Sequence, residues 1–231
     1  MKKRYVFTLV GLCLFAVPGF AQFLTLTQPG TITQSGYYLL ANDISGTTGV
    51  VFTVKAESVT IDFLSHSLDH KGSLCPIVIA AEAADVTIKN GNVNVPNCAI
   101  ATNGPSRLRI ENMTLVGEGG PKGAPSEEMT MIIAAPLQQL EIVNSRVFAR
   151  LLNCVGNFPS GKVLYTGNRF SCGESHGIGG AGIFRDNIIH GQTDAVGIWA
   201  EAGSIVEGNT ITGGDGGIVV NGDGVIVRRN S

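Results

Sequence analysis

Charge is scarce in this chain: acidic and basic residues together make up 15% of it, and the formal net charge is −2. That balance gives no support to a nucleic-acid or anionic-membrane partner, either of which calls for a basic face. Aromatic side chains are few as well, at 6%, with a single tryptophan at position 199. No segment shows sustained helical periodicity, which argues against helical and βαβ architectures. There is no Gly-rich phosphate loop after a strand, no Cys/His zinc spacing and no G-x-S-x-G element, so the usual signatures of those chemistries are missing. Past the N-terminal region no run is apolar over the about 20 residues that a membrane-spanning helix takes. What the chain does have is glycine, 31 residues of it. Gly abundance with little charge is the composition of short strands and tight turns, not of a disordered chain.

The N-terminus reads as a signal peptide, with a retained N-terminal anchor as the alternative, against which the shortness of the apolar run counts. Lys2, Lys3 and Arg4 precede the apolar run Tyr5 to Ala16, and Gly19 and Ala21 supply the small residues of a cleavage site. Cleavage after Ala21 assigns 1–21 to the signal, with Cys13 inside it, and leaves one domain over 22–231. The expected location is extracytoplasmic (secreted, periplasmic or at the cell surface), with no transmembrane segment after cleavage.

The dominant pattern is a repeat. Val206-Glu207-Gly208-Asn209-Thr210-Ile211 has relatives at Phe184-Arg185-Asp186-Asn187-Ile188-Ile189, at Tyr165-Thr166-Gly167-Asn168-Arg169-Phe170 and at Val227-Arg228-Arg229-Asn230. Looser versions start at Ile142, Ile110, Ile88 and Ile61, and the eight anchors are 27, 22, 32, 23, 19, 22 and 21 residues apart. Self-similarity at this period signals a stacked solenoid. Each unit has an apolar strand such as Ile77-Val78-Ile79, a Gly/Asp/Asn turn, a strand carrying the anchor, and an Asn or Gly corner before one more apolar residue. The strands read as three to five residues long. Asn168, Asn187, Asn209 and Asn230 occupy one place in successive units, where stacked amides can form a ladder. The stretch 22–58 reads as an N-terminal cap and first rung.

Four cysteines remain after the signal, and three pairings are formally open. Cys75 and Cys98 are 23 apart and Cys154 and Cys172 are 18 apart, each close to one repeat. Rungs lie about 4.8 Å from one another, within disulfide reach. The expected bridges are therefore Cys75–Cys98 and Cys154–Cys172, formed in an oxidising compartment; two pairs of free buried thiols are the alternative.

The residue before each anchor should face outward. It runs Thr60, Thr87, Arg109, Glu141 and then Leu164, Ile183, Ile205, Ile226, turning from polar to apolar halfway along. An exposed aliphatic strip of that kind usually marks a contact. The long interval before Ile142 holds Gly117 to Glu128, which reads as an excursion of about ten residues on one face. The chain stops at Ser231, just after an anchor, with no amphipathic cap. The expectation is a fragment truncated at its C-terminal end, or an end covered by another copy or partner.

Val59-Thr60-Ile61-Asp62-Phe63-Leu64-Ser65-His66-Ser67-Leu68, preceded by Tyr38-Leu39 and Asn42-Asp43-Ile44, resembles the N-terminal rungs of right-handed parallel β-helix proteins of the pectin-lyase-like superfamily. The I-x-x-N-x-I anchors are similar to that family's generic repeats, and the likeness runs from Phe23 to the end. It implies an all-β, right-handed, single-stranded parallel β-helix of roughly eight rungs. It does not choose among the lyases, hydrolases, epimerases, adhesins and non-enzymes that share this scaffold.

Ser175-His176-Gly177-Ile178 is similar to the histidine element of the polygalacturonase-type hydrolases, but their paired aspartates have no counterpart upstream of it. Lyase-like chemistry needs a carboxylate cluster. Asp194 and Asp215 are 21 apart, so they can stack on adjacent rungs and share a cation, for which Ca2+ is the natural choice. His176, Asp194 and Asp215 are thus the candidate catalytic residues; Gly-Asp turn chemistry is the structural alternative for the aspartates. With Ile198 and Ala200 inward, Trp199 and Glu201 face outward, and Asn221 lies one rung on. An aromatic ring beside a carboxylate and an amide suits a sugar, so these three are the candidate substrate-binding residues. The sequence therefore supports an extracytoplasmic β-helix that interacts with polysaccharide or a cell-surface glycan, as a lyase or hydrolase in its enzymatic version. The alternative is a non-catalytic surface, structural or adhesion module that uses the apolar strip.

Overall fold

The computed structural model describes residues 23–103, 107–118, 130–134, 137–150, 153–156, 161–173, 176–191 and 196–231. The signal-peptide assignment, most of the excursion after Gly117, and Asp194 lie outside them. The described chain is all-β, a solenoid of about eight turns in which parallel strands stack on three faces.

The anchors build the first sheet. Gly36–Leu40, Ser58–Asp62, the first half of Asp85–Val95, the first half of Arg107–Gly117, Gln139–Val143, Lys162–Thr166, the second half of His176–Arg185, Ile205–Glu207 and Ile226–Arg228 pair in that order. Phe23–Leu26 joins it through Gly36–Leu40, so the stack begins at the first described residue. The second sheet lies just past the Asn corner: Ile44–Thr47, Ser67–His70, the later halves of the two long strands, Arg146–Ala149, Arg169–Cys172, Ile188–Gly191 and Thr210–Thr212. The third sheet carries Gly30–Ile32, Phe52–Val54, Ile77–Ile79, Ile100–Thr102, Thr130–Ile133 and Asn153–Gly156. It resumes with the start of His176–Arg185, Val196–Glu201 and Gly216–Asn221.

Five strands exceed the expected three to five residues, Val196–Glu201 and Gly216–Asn221 by one residue each. Asp85–Val95 and Arg107–Gly117 have eleven each, and His176–Arg185 has ten. In the two longest, Asn90 (φ 59°) and Asn112 (φ 52°) bend the chain through the left-handed region, and the ladder is kept on both sides of the bend. Equivalent corners in later turns use Asn144, Gly167, Asp186, Gly208 and Arg229, all at positive φ. Asn and Gly suit that conformation, which explains their recurrence there.

The core follows the anchors. Ile61, Ile88, Ile110, Ile142, Tyr165, Phe184 and Val206 are fully buried, as are Leu68, Val93, Leu115, Val147, Phe170 and Ile189 behind the second sheet. The expected outward strip is confirmed by register: Thr60, Thr87, Arg109, Glu141, Leu164, Ile183, Ile205 and Ile226 are successive partners. Glu141 is buried although it faces outward, because Arg107, Arg109 and Gln139 close over it. In the last turn the inward Val227 is 45% exposed.

Two features staple the stack. The Asn ladder forms: the amide nitrogens of Asn168, Asn187 and Asn209 donate to the side-chain oxygens of Asn187, Asn209 and Asn230 at 2.9–3.0 Å. Each amide also donates to a main-chain carbonyl, of Ile142, Tyr165 and Phe184 in turn. Cys75–Cys98 and Cys154–Cys172 are bridged, with Cα–Cα distances of 4.7 and 5.4 Å, in the pairing expected from the repeat. Two such bridges indicate an oxidising, extracytoplasmic environment.

Candidate functional site

The third sheet carries the residues singled out from the sequence. Ile198 and Ala200 are fully buried, so Trp199 and Glu201 face outward, both partly exposed. Trp199 is the partner of Val219 and Glu201 of Asn221, which is exposed. The three candidate sugar contacts therefore share one face of two adjacent strands. His176 is the strand partner of Val196, and Val196 of Gly216, so His176 and the exposed Asp215 sit at the same end of this sheet, two rungs apart. Asp194, just before Val196, lies outside the described residues. Gly177, the glycine of the histidine element, has a packing reason to be glycine: a Cβ there would stand 2.5 Å from the Gly197 carbonyl oxygen. The described residues contain no cluster of three or more potential metal ligands.

The surface is concave elsewhere. Among the described residues, four shallow grooves flank the second sheet, two at each end of its strands. At the Asn corner, about 500 Å³ is enclosed by Asp62, Ser65, Asn90, Asn92, Asn112 and Thr114. Further along the same corner, about 340 Å³ is lined by Asn144, Arg146, Gly167, Arg169, Asp186 and Ile188. At the other end of the strands, one groove of about 430 Å³ runs past Asp69, His70, Asn94 and Glu118. Its neighbour, about 400 Å³, passes Val116, Phe148, Arg150 and Ser171.

The face between these grooves is built from two columns. Strand alternation turns Leu68, Val93, Leu115, Val147 and Phe170 inward, so the residues on either side of each point out. One column runs Ser67, Asn92, Thr114, Arg146, Arg169, Ile188 and Thr210. The other runs Asp69, Asn94, Val116, Phe148, Ser171, His190 and Thr212. Amides, hydroxyls and two guanidinium groups thus repeat at the rung spacing of about 4.8 Å, beside one partly exposed aromatic ring.

Near the corner, Asp62 is nearly buried yet ionised. Burial alone would raise its carboxyl, but hydrogen bonds from the Tyr37 hydroxyl, the Leu64 amide and Asn90, with Lys89 3.7 Å away, hold it below the usual range. It orients the Asn90 amide at the lip of the groove of about 500 Å³.

His70 closes the opposite edge. Its Nδ1 is 3.0 Å from the Thr47 hydroxyl, and its buried Nε2 has no hydrogen-bond partner. Burial holds it below the usual imidazole range, and the Leu74 backbone offsets only part of that. An unfolded chain takes up this proton at about pH 6.5, before the folded chain does. Stability is therefore complete above that pH and declines as pH falls towards the folded-state value. Urea unfolding at several pH values should show a smaller loss between pH about 6.5 and 5 for His70→Gln than for the wild type; equal losses would contradict the assignment.

The second-sheet columns had a sequence signal that the anchors hide. Asn92, Thr114, Arg146, Arg169, Ile188 and Thr210 each stand four residues after an anchor. That offset crosses the corner, so neither helical nor simple strand periodicity brings it out. No protein-family model matches the chain, and neither the curated proteins nor the solved structures contain a match.

Proposed function

We propose that this chain is an extracytoplasmic β-solenoid that binds an extended polysaccharide along the outer face of its second sheet. The observation that supports it most is the repetition of polar side chains at rung spacing along shallow grooves, with Phe148 beside them. Open, linear grooves suit a polymer, whereas small ligands favour enclosed, mainly apolar cavities. Asn and Thr side chains can bond sugar hydroxyls as donor and acceptor, and the Phe148 ring offers a face for the apolar side of a pyranose.

The binding reading needs no chemical step. Its enzymatic version, a lyase or hydrolase, would use His176 and Asp215 at one end of the third sheet together with Asp194, with Ca2+ as the cation the two aspartates would take. That version predicts product release from a bound polymer, and its loss in Asp194→Ala.

The test is retention of the purified chain in gels containing soluble neutral or charged polysaccharides. Wild-type protein should be retarded by at least one polymer, and Phe148→Ala should weaken that interaction roughly tenfold, the usual scale for losing an aromatic anchor. If no polymer retards the wild type, the reading fails. If Trp199→Ala weakens binding and Phe148→Ala does not, the site belongs on the third sheet, where Glu201 faces Asn221.

A second reading has its own support. Leu164, Ile183, Ile205 and Ile226 form an unbroken aliphatic row on the anchor sheet, next to a groove of about 320 Å³ lined by Lys162, Ala181, Gly182 and Ala202. A non-catalytic adhesion or packing module would use this row.

A further inference from the structure

We infer that Arg146 and Arg169 form a subsite for a tetrahedral oxyanion, a sulfate or phosphate ester carried by the polymer on the second sheet. The nature of the carrier rests on the polysaccharide reading above; the anion site itself does not.

The two arginines are direct strand partners, and both face solvent. Five other arginines of the described chain sit against carboxylates: Arg107 and Arg109 on Glu141, and Arg185, Arg228 and Arg229 on Glu207. By contrast, among the described residues no ion pair or side-chain hydrogen bond engages Arg146 or Arg169. Their strands are about 4.8 Å apart, a separation at which like charges repel. No ion pair among the described residues offsets that repulsion.

The groove between them carries one carboxylate, Asp186, a rung beyond Arg169 and bonded to neither arginine. Asn144 lies at the Arg146 end, and Gly167 between them. Gly167 turns this corner at φ 67°, a backbone conformation that favours glycine.

Geometry favours the anion with more oxygens. A planar carboxylate offers two, which one arginine fork can fill or, as at Glu141, two arginines of one strand can share. A sulfate or phosphate ester projects three oxygens in different directions, so it can bridge two guanidinium groups on neighbouring rungs. The Arg146–Arg169 pair fits the second case. Ser171 and Phe148, on the adjoining column, would meet the sugar that bears the ester.

The experiment compares one polymer in four forms: dextran, its sulfate ester, its phosphate ester, and a carboxymethyl derivative of equal charge density. Inorganic sulfate and inorganic phosphate are titrated separately by calorimetry. Binding of either ester should exceed that of dextran and of the carboxymethyl form, and should fall roughly tenfold for each arginine replaced by alanine, the scale of a charge-assisted hydrogen bond. Arg146→Lys/Arg169→Lys keeps the charge but loses the fork, so it should lose most of the preference for esters. Asp186→Asn should bind esters more tightly. Both arginines are exposed and unpartnered, so the variants should unfold like the wild type. Which ester binds better identifies the source of the anion.

Equal binding of the carboxymethyl form overturns the inference, as does ester binding that the double alanine variant leaves unchanged. If inorganic sulfate or phosphate binds through the arginines but no polymer does, the polysaccharide reading falls and the anion site stands. Should polymers bind without regard to charge, the reverse holds.

Discussion

Replacing Asn187 with alanine should lower folding stability by about 4 kcal/mol, since each buried polar group left without a partner costs roughly 1–3 kcal/mol. Asn187 is buried and central in the ladder. Its side-chain oxygen accepts from the main-chain and side-chain nitrogens of Asn168, at 3.1 and 3.0 Å. Its amide donates to the Tyr165 carbonyl at 2.8 Å and to the Asn209 oxygen at 2.9 Å. Alanine strands these groups where water cannot easily reach them. The ladder is also a chain of polarised amides, so removing a middle member weakens the bonds on both sides. Asn230 makes as many side-chain bonds, but it is only half-buried, so water can replace them and its loss should cost only about 1 kcal/mol. Urea unfolding of the two variants measures the contrast. Equal, small losses would mean that the amides do not hold the turns together.

Glu141→Ala should cost about 3 kcal/mol, near the lower end for breaking a buried ion pair by removing one partner. The carboxylate accepts from Arg107 at 2.8 Å, Arg109 at 2.6 Å and Gln139 at 2.7 Å. Its side chain is 5% exposed, while those of the arginines are 42% and 29% exposed. Water and the neighbouring Asp85 and Glu111 can therefore take up part of the arginine charge, which tempers the loss. Burial would raise the Glu141 carboxyl, but the hydrogen bonds from the two arginines outweigh it and hold it below the usual range. As pH falls below about 4.3, the unfolded chain binds this proton first. The stabilisation is thus present above that pH and lost as pH falls through the lower, folded-state value. Glu141→Gln should remove most of that pH dependence; a variant as acid-sensitive as the wild type would contradict the assignment.

The contrast between these two residues shows what could be read from the chain. The asparagine at 187 recurs at a fixed place in four successive units, so the anchors alone pointed to its ladder. The same local period paired the cysteines and set the outward strip. Glu141 belongs to that strip, but its burial depends on Arg107 and Gln139, which no repeat links to it. The binding face was hidden for a related reason. Arg146, Arg169 and Phe148 sit on strands of four residues after a corner. Which of them face out depends on how Asn144 and Gly167 turn the chain. The eleven-residue strands arose the same way: Asn90 and Asn112 bend without ending the ladder. Trp199 and Glu201 did take the outward places that alternation assigned them, but whether a sugar binds there depends on surface shape, which alternation does not describe.

Tryptophan fluorescence separates the two faces in one titration, because Trp199 is the only tryptophan. The ligand is the polysaccharide that retards the protein most. Binding on the second sheet should leave wild-type emission unchanged, while Phe148→Trp in a Trp199→Phe background should shift as the polymer binds. A shift in the wild type with a silent Phe148→Trp reporter would contradict the account and move the site to the third sheet.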